Sequence, residues 1–248
     1  MEEAGLTVSG IVGCSIGGLV GALIAAGMRW KELVPLAFAL ERSDIVRINR
    51  RAAWINGIKQ ESVFHDEPLK EYIDRVLPVK EWAELDIPLQ VNAVNLATGS
   101  TEWFGPGADT SVSLADALYA TSALPVFYPP ARVAGKILVD GGTDHSFPLE
   151  RAAELGATGI VAVDVGSAGG ADAPRVVSKG MLAIHHRVVG IMSWMRRMER
   201  IESWHGPPLL LVRPRLDGFD TFEFDQTRYF LEEGYRATRS ALMAGLTT

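Results

Sequence analysis

Cysteine is nearly absent from this 248-residue chain: Cys14 stands alone, so no internal disulfide can form and a reducing compartment is compatible. Histidine is scarce too, at five, and none falls in an H-E-x-x-H spacing. With no C-x-x-C pair either, no metal or other cofactor is expected. No Walker-A pattern occurs. Basic charge is not in excess: the net charge is −6, which removes the general electrostatic case for nucleic acid as a partner. The start, Met1-Glu2-Glu3, lacks the basic region of a signal peptide. The longest helix-like apolar stretch, Ile16 to Met28, is short and glycine-rich for a membrane span. Together these point to a cytoplasmic protein, with contact at a membrane surface left open. With 48% apolar and 22% charged residues the chain can build a sizeable core. No repeat or linker divides it, so a single domain over residues 1–248 is expected.

What is present begins at Gly10-Ile11-Val12-Gly13-Cys14-Ser15-Ile16-Gly17-Gly18. This reads as a buried strand, a sharp turn and a helix. Gly13-Cys14-Ser15-Ile16-Gly17 fits G-x-S-x-G, the nucleophile elbow. Ser15 then sits in a strained conformation at the tip, and Gly13 and Gly17 are expected to be small because a β-carbon would clash. Leu19 to Ala26 is apolar all round and reads as a buried helix whose N-terminus favours the Ser15 alkoxide. Cys14 is expected to point into the core behind the elbow. The bland alternative is a glycine-rich turn with an incidental serine.

Farther along, Leu89–Asn95 alternates as a strand and Thr101–Phe104 pairs with it as a hairpin. Ser113-Leu114-Ala115-Asp116 starts a helix that runs to about Ser122. Val133–Val139 is a strand leading into Asp140-Gly141-Gly142. Gly159–Val165 reads as a strand covered on both faces, and Val176–Trp204 as one long helix with Ile184, Val188, Ile191, Met195 and Met198 on one stripe. Trp194, Met195, Met198, Ile201 and Trp204 alternate with Arg196, Arg197 and Arg200. That pattern reads as a core-packing helix with a basic outer edge, the competing reading being a face that sits on lipid. Strands alternating with helices imply an α/β protein: three layers, α/β/α, around a mostly parallel central sheet.

A serine hydroxyl needs a base. Asp140, a carboxylate at a strand end before two glycines, fits, provided burial raises its pKa. The alternative reading of Asp140-Gly141-Gly142 is a plain turn. A Ser-His-Asp arrangement is the competitor. His185 and His186 lie inside a long helix, His205 lies before a strand, and His145 reads as a surface loop residue.

Ser15 and Asp140 together resemble the patatin-like phospholipase family, which uses a Ser-Asp dyad. The elbow block, the small-residue/proline block Ala120-Thr121-Ser122-Ala123-Leu124-Pro125 and the Asp140-Gly141-Gly142 block occur in the family's order, and Glu67-Pro68-Leu69 and Phe224-Asp225 also look familial. The resemblance implies a serine acyl hydrolase acting on phospholipids, lysophospholipids or simpler esters without a metal ion, with Ser15 as nucleophile and Asp140 as base. The family's upstream strand and Gly-rich loop, which supply oxyanion donors, have no visible equivalent here. That leaves the N–H of Ile16, with Gly17, as donors, and an unpaired strand edge beside the elbow. The alternative function is a patatin-like scaffold with little catalysis that binds lipid or a protein partner. Trp103, Phe104, Phe127 and Tyr128 are the expected apolar substrate wall.

Overall fold

The computed structural model describes residues 2–50, 60–144, 146–166, 173–219 and 221–245. Arg51 and His145 lie outside the described residues. The fold is mixed α/β, and the chain divides into two compact units, Met1–Pro148 and Leu149–Thr248.

In the first unit, a short 3₁₀ turn, Glu2–Ala4, ends at Gly5 with φ +63°, as expected of a left-handed cap. Strand β1 (Ile11–Gly13) leads through the elbow into helix α1 (Ile16–Ala25). Helices α2 (Trp30–Ala39), α3 (Arg42–Ile45) and α4 (Glu67–Val76) follow. Helix α4 buries Leu69, Tyr72 and Ile73 on the face that its spacing predicts. Strand β2 (Leu89–Asn95) is buried along its whole length and is the hub of a five-stranded sheet. It pairs in parallel with β1 and antiparallel with β3 (Thr101–Phe104) and β5 (Lys136–Asp140). Strand β4 (Ala131–Val133) completes the sheet antiparallel to β5. Helix α5 (Leu114–Ser122) starts where the S-x-x-D pattern places it: the Ser113 hydroxyl accepts from the Asp116 N–H at 3.1 Å.

The second unit holds α6 (Leu149–Glu154), β6 (Ile160–Val163), α7 (Ala173–Ser178), α8 (Met181–Glu202), β7 (Leu209–Val212) and α9 (Thr227–Gly245). Strands β6 and β7 pair in parallel.

Four expectations need correction. The strand expected over Val133–Val139 is a hairpin: Ala134 (φ 49°) and Gly135 (φ 74°) form the two-residue turn between β4 and β5. The long helix expected from Val176 breaks at Gly180, whose φ of +90° no helix residue adopts. Val163 on β6 is 53% exposed, so that strand is not covered on both faces. Helix α1 is not buried all round either, because Ile16, Val20 and Ile24 form an exposed ridge one turn apart.

Candidate active site

The register of β2 brings the elbow and Asp140 together. Gly13, at the end of β1, lies opposite Val91, and Asp140, at the end of β5, lies opposite Ala93. Strand β3 occupies the other edge of β2 over Val91–Val94. Strands β1 and β5 therefore share one edge of β2 and meet there by their C-terminal ends. The two pairing points are two positions apart on β2, roughly 7 Å at the rise of a strand.

The elbow has the geometry its glycines suggest. Ser15 has φ 54° and ψ −128°, a region that costs a non-glycine residue on the order of 1–3 kcal/mol. A β-carbon on Gly13 would lie 2.6 Å from the Gly17 carbonyl oxygen and the Gly18 α-carbon, so strand and helix can approach this closely only with glycine there. Gly17 corrects its expectation: a β-carbon there meets nothing within 4 Å. The position that needs to be small is Gly18, where a β-carbon would press on Thr121 and Val91 at 3.1 Å.

The end of α5 mounts both groups. The Thr121 hydroxyl, fully buried, accepts the Ser15 N–H at 2.9 Å. The Ala123 carbonyl accepts the Asp140 N–H at 3.0 Å. These two bonds fix the backbone on either side of the gap. No elementary pattern in the sequence marks Thr121, since a threonine near a helix end is ordinary; the resemblance of its block is the one signal that could have found it.

Asp140 is 3% exposed, and burial pushes its carboxyl up to about 6. The Ser15 hydroxyl, the Gly142 N–H and the Cys14 thiol pull in the opposite direction. Oδ1 accepts the Gly142 N–H at 2.7 Å and faces Cys14 Sγ at 3.9 Å. Oδ2 is buried without a hydrogen-bond partner. Ser15 thus acts on the carboxyl without a closed hydrogen bond to it, the loose geometry common in unliganded sites. Cys14 is not a core residue behind the elbow. It is half-buried and turned to Asp140.

Of the two expected oxyanion donors, Gly17 is engaged, its N–H donating to the Cys14 carbonyl at 2.9 Å. Gly18 and Leu19 donate to the Ser15 carbonyl. The Ile16 N–H, first in the helix, makes no hydrogen bond among the described residues, as the leading N–H groups of a helix do. On its other edge, β1 pairs with no described strand.

The four aromatics differ in burial and in face. Phe104 is 2% exposed, and Tyr128 is buried with its hydroxyl donating to the Ile45 carbonyl. Trp103 lies opposite Asn92, on the face of the sheet away from Asp140, because neighbouring strand residues alternate sides. Phe127, half-buried after α5 and 5.6 Å from the Phe64 ring, is the remaining candidate. Among the other titratable groups, His205 holds the Ser203 carbonyl at 2.6 Å and His186 meets Thr221 at 3.1 Å. No group of three metal-ligating side chains occurs among the described residues.

The chain is 29% identical over 165 residues to an uncharacterized NTE family protein of Mycobacterium tuberculosis, covering 66% of this chain and 43% of that protein. It is 24% identical over 271 residues to human patatin-like phospholipase domain-containing protein 6, covering 95% of this chain and 18% of the relative. Lysophospholipase nte1 of Aspergillus fumigatus gives 24% over 270 residues, covering 95% and 16%. The chain therefore spans less than half the length of these curated relatives. Among solved structures, VipD from Legionella pneumophila aligns over 95% of this chain and 61% of its own, with a TM-score of 0.46 and 15% identity. The patatin-like phospholipase family description matches residues 1–153, across the elbow, the end of α5 and Asp140, and the chain belongs to that family.

Proposed function

We propose that this protein hydrolyses carboxylic esters of lipids through Ser15 and Asp140. The observation that carries the reading is the pairing of a strained elbow serine with a buried aspartate whose Oδ2 has no other partner, both held by the end of α5. Ser15 Oγ attacks the ester carbonyl carbon, and its proton passes to the Asp140 carboxylate. The Ile16 N–H donates to the oxyanion that forms. As the tetrahedral intermediate collapses, the carbon–oxygen bond to the leaving alcohol breaks, and Asp140 returns the proton to that oxygen. Water then attacks the acyl-serine, losing a proton to Asp140; as this second intermediate collapses, the bond to Ser15 Oγ breaks, Asp140 returns the proton to that oxygen, and the acid leaves. Of the four aromatics, Phe127 is the one we assign to meeting an acyl chain.

A carboxyl near 6 suits this work, being largely ionised at neutral pH yet basic enough to accept a proton. The rate should follow the ionised form, with kcat/KM rising through about pH 6 and levelling above it. The test is labelling with a fluorophosphonate, read by peptide mass spectrometry. We expect covalent capture at Ser15, none in Ser15→Ala, and capture slowed by roughly 100-fold or more in Asp140→Asn. Capture at another residue, or none in folded protein, overturns the reading.

A further inference from the structure

Thr121 is a polar side chain in apolar surroundings. It is fully buried near the end of α5, a helix that otherwise buries Leu114, Ala117, Leu118, Tyr119 and Ala120. A hydroxyl taken out of water this completely costs free energy unless it is hydrogen-bonded. A threonine in a helix can satisfy its hydroxyl on a carbonyl of the preceding turn. Thr121 reaches 106 positions back along the chain, where it accepts the Ser15 N–H at 2.9 Å. Its methyl is engaged on the same elbow. A β-carbon on Gly18 would lie 3.1 Å from Thr121 Cγ2, so the first turn of α1 rests against that methyl. Doing both takes an acceptor and a methyl on one β-carbon: serine lacks the methyl, and valine lacks the acceptor. Branching at the β-carbon also restricts χ1, which keeps the acceptor aimed.

The Ser15 N–H is the point of the elbow where such a hold matters. With φ 54° and ψ −128°, Ser15 keeps a conformation that persists only when its surroundings impose it. Helix α1 fixes the carbonyl side, because the Gly18 and Leu19 N–H groups donate to the Ser15 carbonyl. The N–H side lies ahead of the helix, and its partner is Thr121. Without that acceptor the N–H is left unpaired, and turning the Cys14–Ser15 peptide relieves both the lost bond and the positive φ. The tip would then no longer hold Ser15 at one place against Asp140.

We propose that Thr121 is a positioning residue for ester cleavage at Ser15: its hydroxyl holds the strained tip of the elbow and its methyl seats the first turn of α1. It acts through the Ser15 backbone and takes no proton in the reaction. The inference rests on the hydrolase reading above and adds to it a residue from a third element, beyond the strand ends that carry Ser15 and Asp140.

The test follows fluorophosphonate capture at Ser15 over a range of probe concentrations, which separates the limiting rate from the half-saturating concentration. Two pairs isolate the hydroxyl: the parent against Thr121→Val, and Thr121→Ser against Thr121→Ala. In each pair we expect loss of the hydroxyl to lower the limiting rate at least about tenfold, with the half-saturating concentration unchanged. Thr121→Ser should keep most of the parent's rate while melting at a lower temperature, because it lacks only the methyl. Circular dichroism checks folding. Serine and alanine only remove atoms at this position, so that pair decides if Thr121→Val does not fold. The proposal is overturned if the limiting rate survives loss of the hydroxyl, if Thr121→Ser falls as far as Thr121→Ala, or if the half-saturating concentration alone changes. A folded parent that is not captured at Ser15 overturns the hydrolase reading and this inference together. Capture in the parent with no fall in the variants overturns this inference alone.

Discussion

Helices α5 and α8 show how differently the two units use apolar residues. Helix α5 buries Leu114, Ala117, Leu118, Tyr119 and Ala120, and its end holds Ser15 and Asp140 by hydrogen bonds. Helix α8 is more than twice as long, yet its one buried residue is Arg197, a charge. The first unit is ordered by close apolar packing, the second around an ion pair with many apolar side chains left outward. Both patterns are amphipathic in sequence. Periodicity tells that a stripe exists and is silent on whether protein or solvent lies against it.

Four substitutions sharpen this contrast. The largest effect is expected from Arg197→Ala in the second unit. Asp164, with a side chain 5% exposed, would keep Arg213 at 3.4 Å and the Gly166 N–H, which donates to its Oδ1 at 3.1 Å. Removing one partner of a buried ion pair costs about 3–5 kcal/mol, to be read from the urea midpoint. A loss below 1 kcal/mol would mean that the ion pair does not organise this unit.

Asp140→Asn in the first unit should have the opposite sign. Burial raises this carboxyl from 3.8 to about 6, so folding holds its proton more tightly than the unfolded chain does. The folded state is therefore favoured at low pH and loses stability as pH rises from about 4 to about 6. Two units correspond to about 3 kcal/mol at neutral pH. The asparagine variant lacks the charge and should be more stable at pH 7 by up to about that amount while losing the base. Equal melting temperatures for the two proteins at pH 4 and at pH 7 would show that the carboxylate is not strained.

The smallest effects separate two glycines of one motif. Gly13→Ala drives a β-carbon into backbone and should cost at least about 1–3 kcal/mol. Gly17→Ala meets open space on a helix and should gain up to about 1 kcal/mol. Thermal melts of both variants check this, and a loss in Gly17→Ala comparable to that in Gly13→Ala would contradict the geometry.

Strands β2 and β3 were legible because strict alternation and a Thr98-Gly99 turn leave little choice, and α5 because its cap residue is explicit. The elbow was legible for the same reason: few sequences place glycine on both sides of a serine between a β-branched strand and a helix. Other features depend on what a residue touches. The Ala134-Gly135 turn sits inside an otherwise strand-like run, and only the pairing of β4 with β5 identifies it. Closeness along the chain says nothing about faces: Trp103 and Phe104 are neighbours on opposite sides of β3, with Phe104 on the face of Asp140. Thr121 was invisible as a mount because its partner is a backbone N–H 106 positions away.

The meeting of β1 and β5 along β2 makes the middle of that strand a spacer. Val91, Asn92 and Ala93 set the distance between the elbow and Asp140 by the pitch of a backbone, which no loop rearrangement can stretch. Length changes should therefore be tolerated very unevenly along the chain. One residue added in the loop between β2 and β3 would merely lengthen a turn. One residue added between Val91 and Ala93 would separate the pair by a further 3 Å or so and turn every later side chain of β2 to the wrong face. Among descendants of this sequence that keep the elbow beside Asp140, this three-residue segment is where the chain should keep its count.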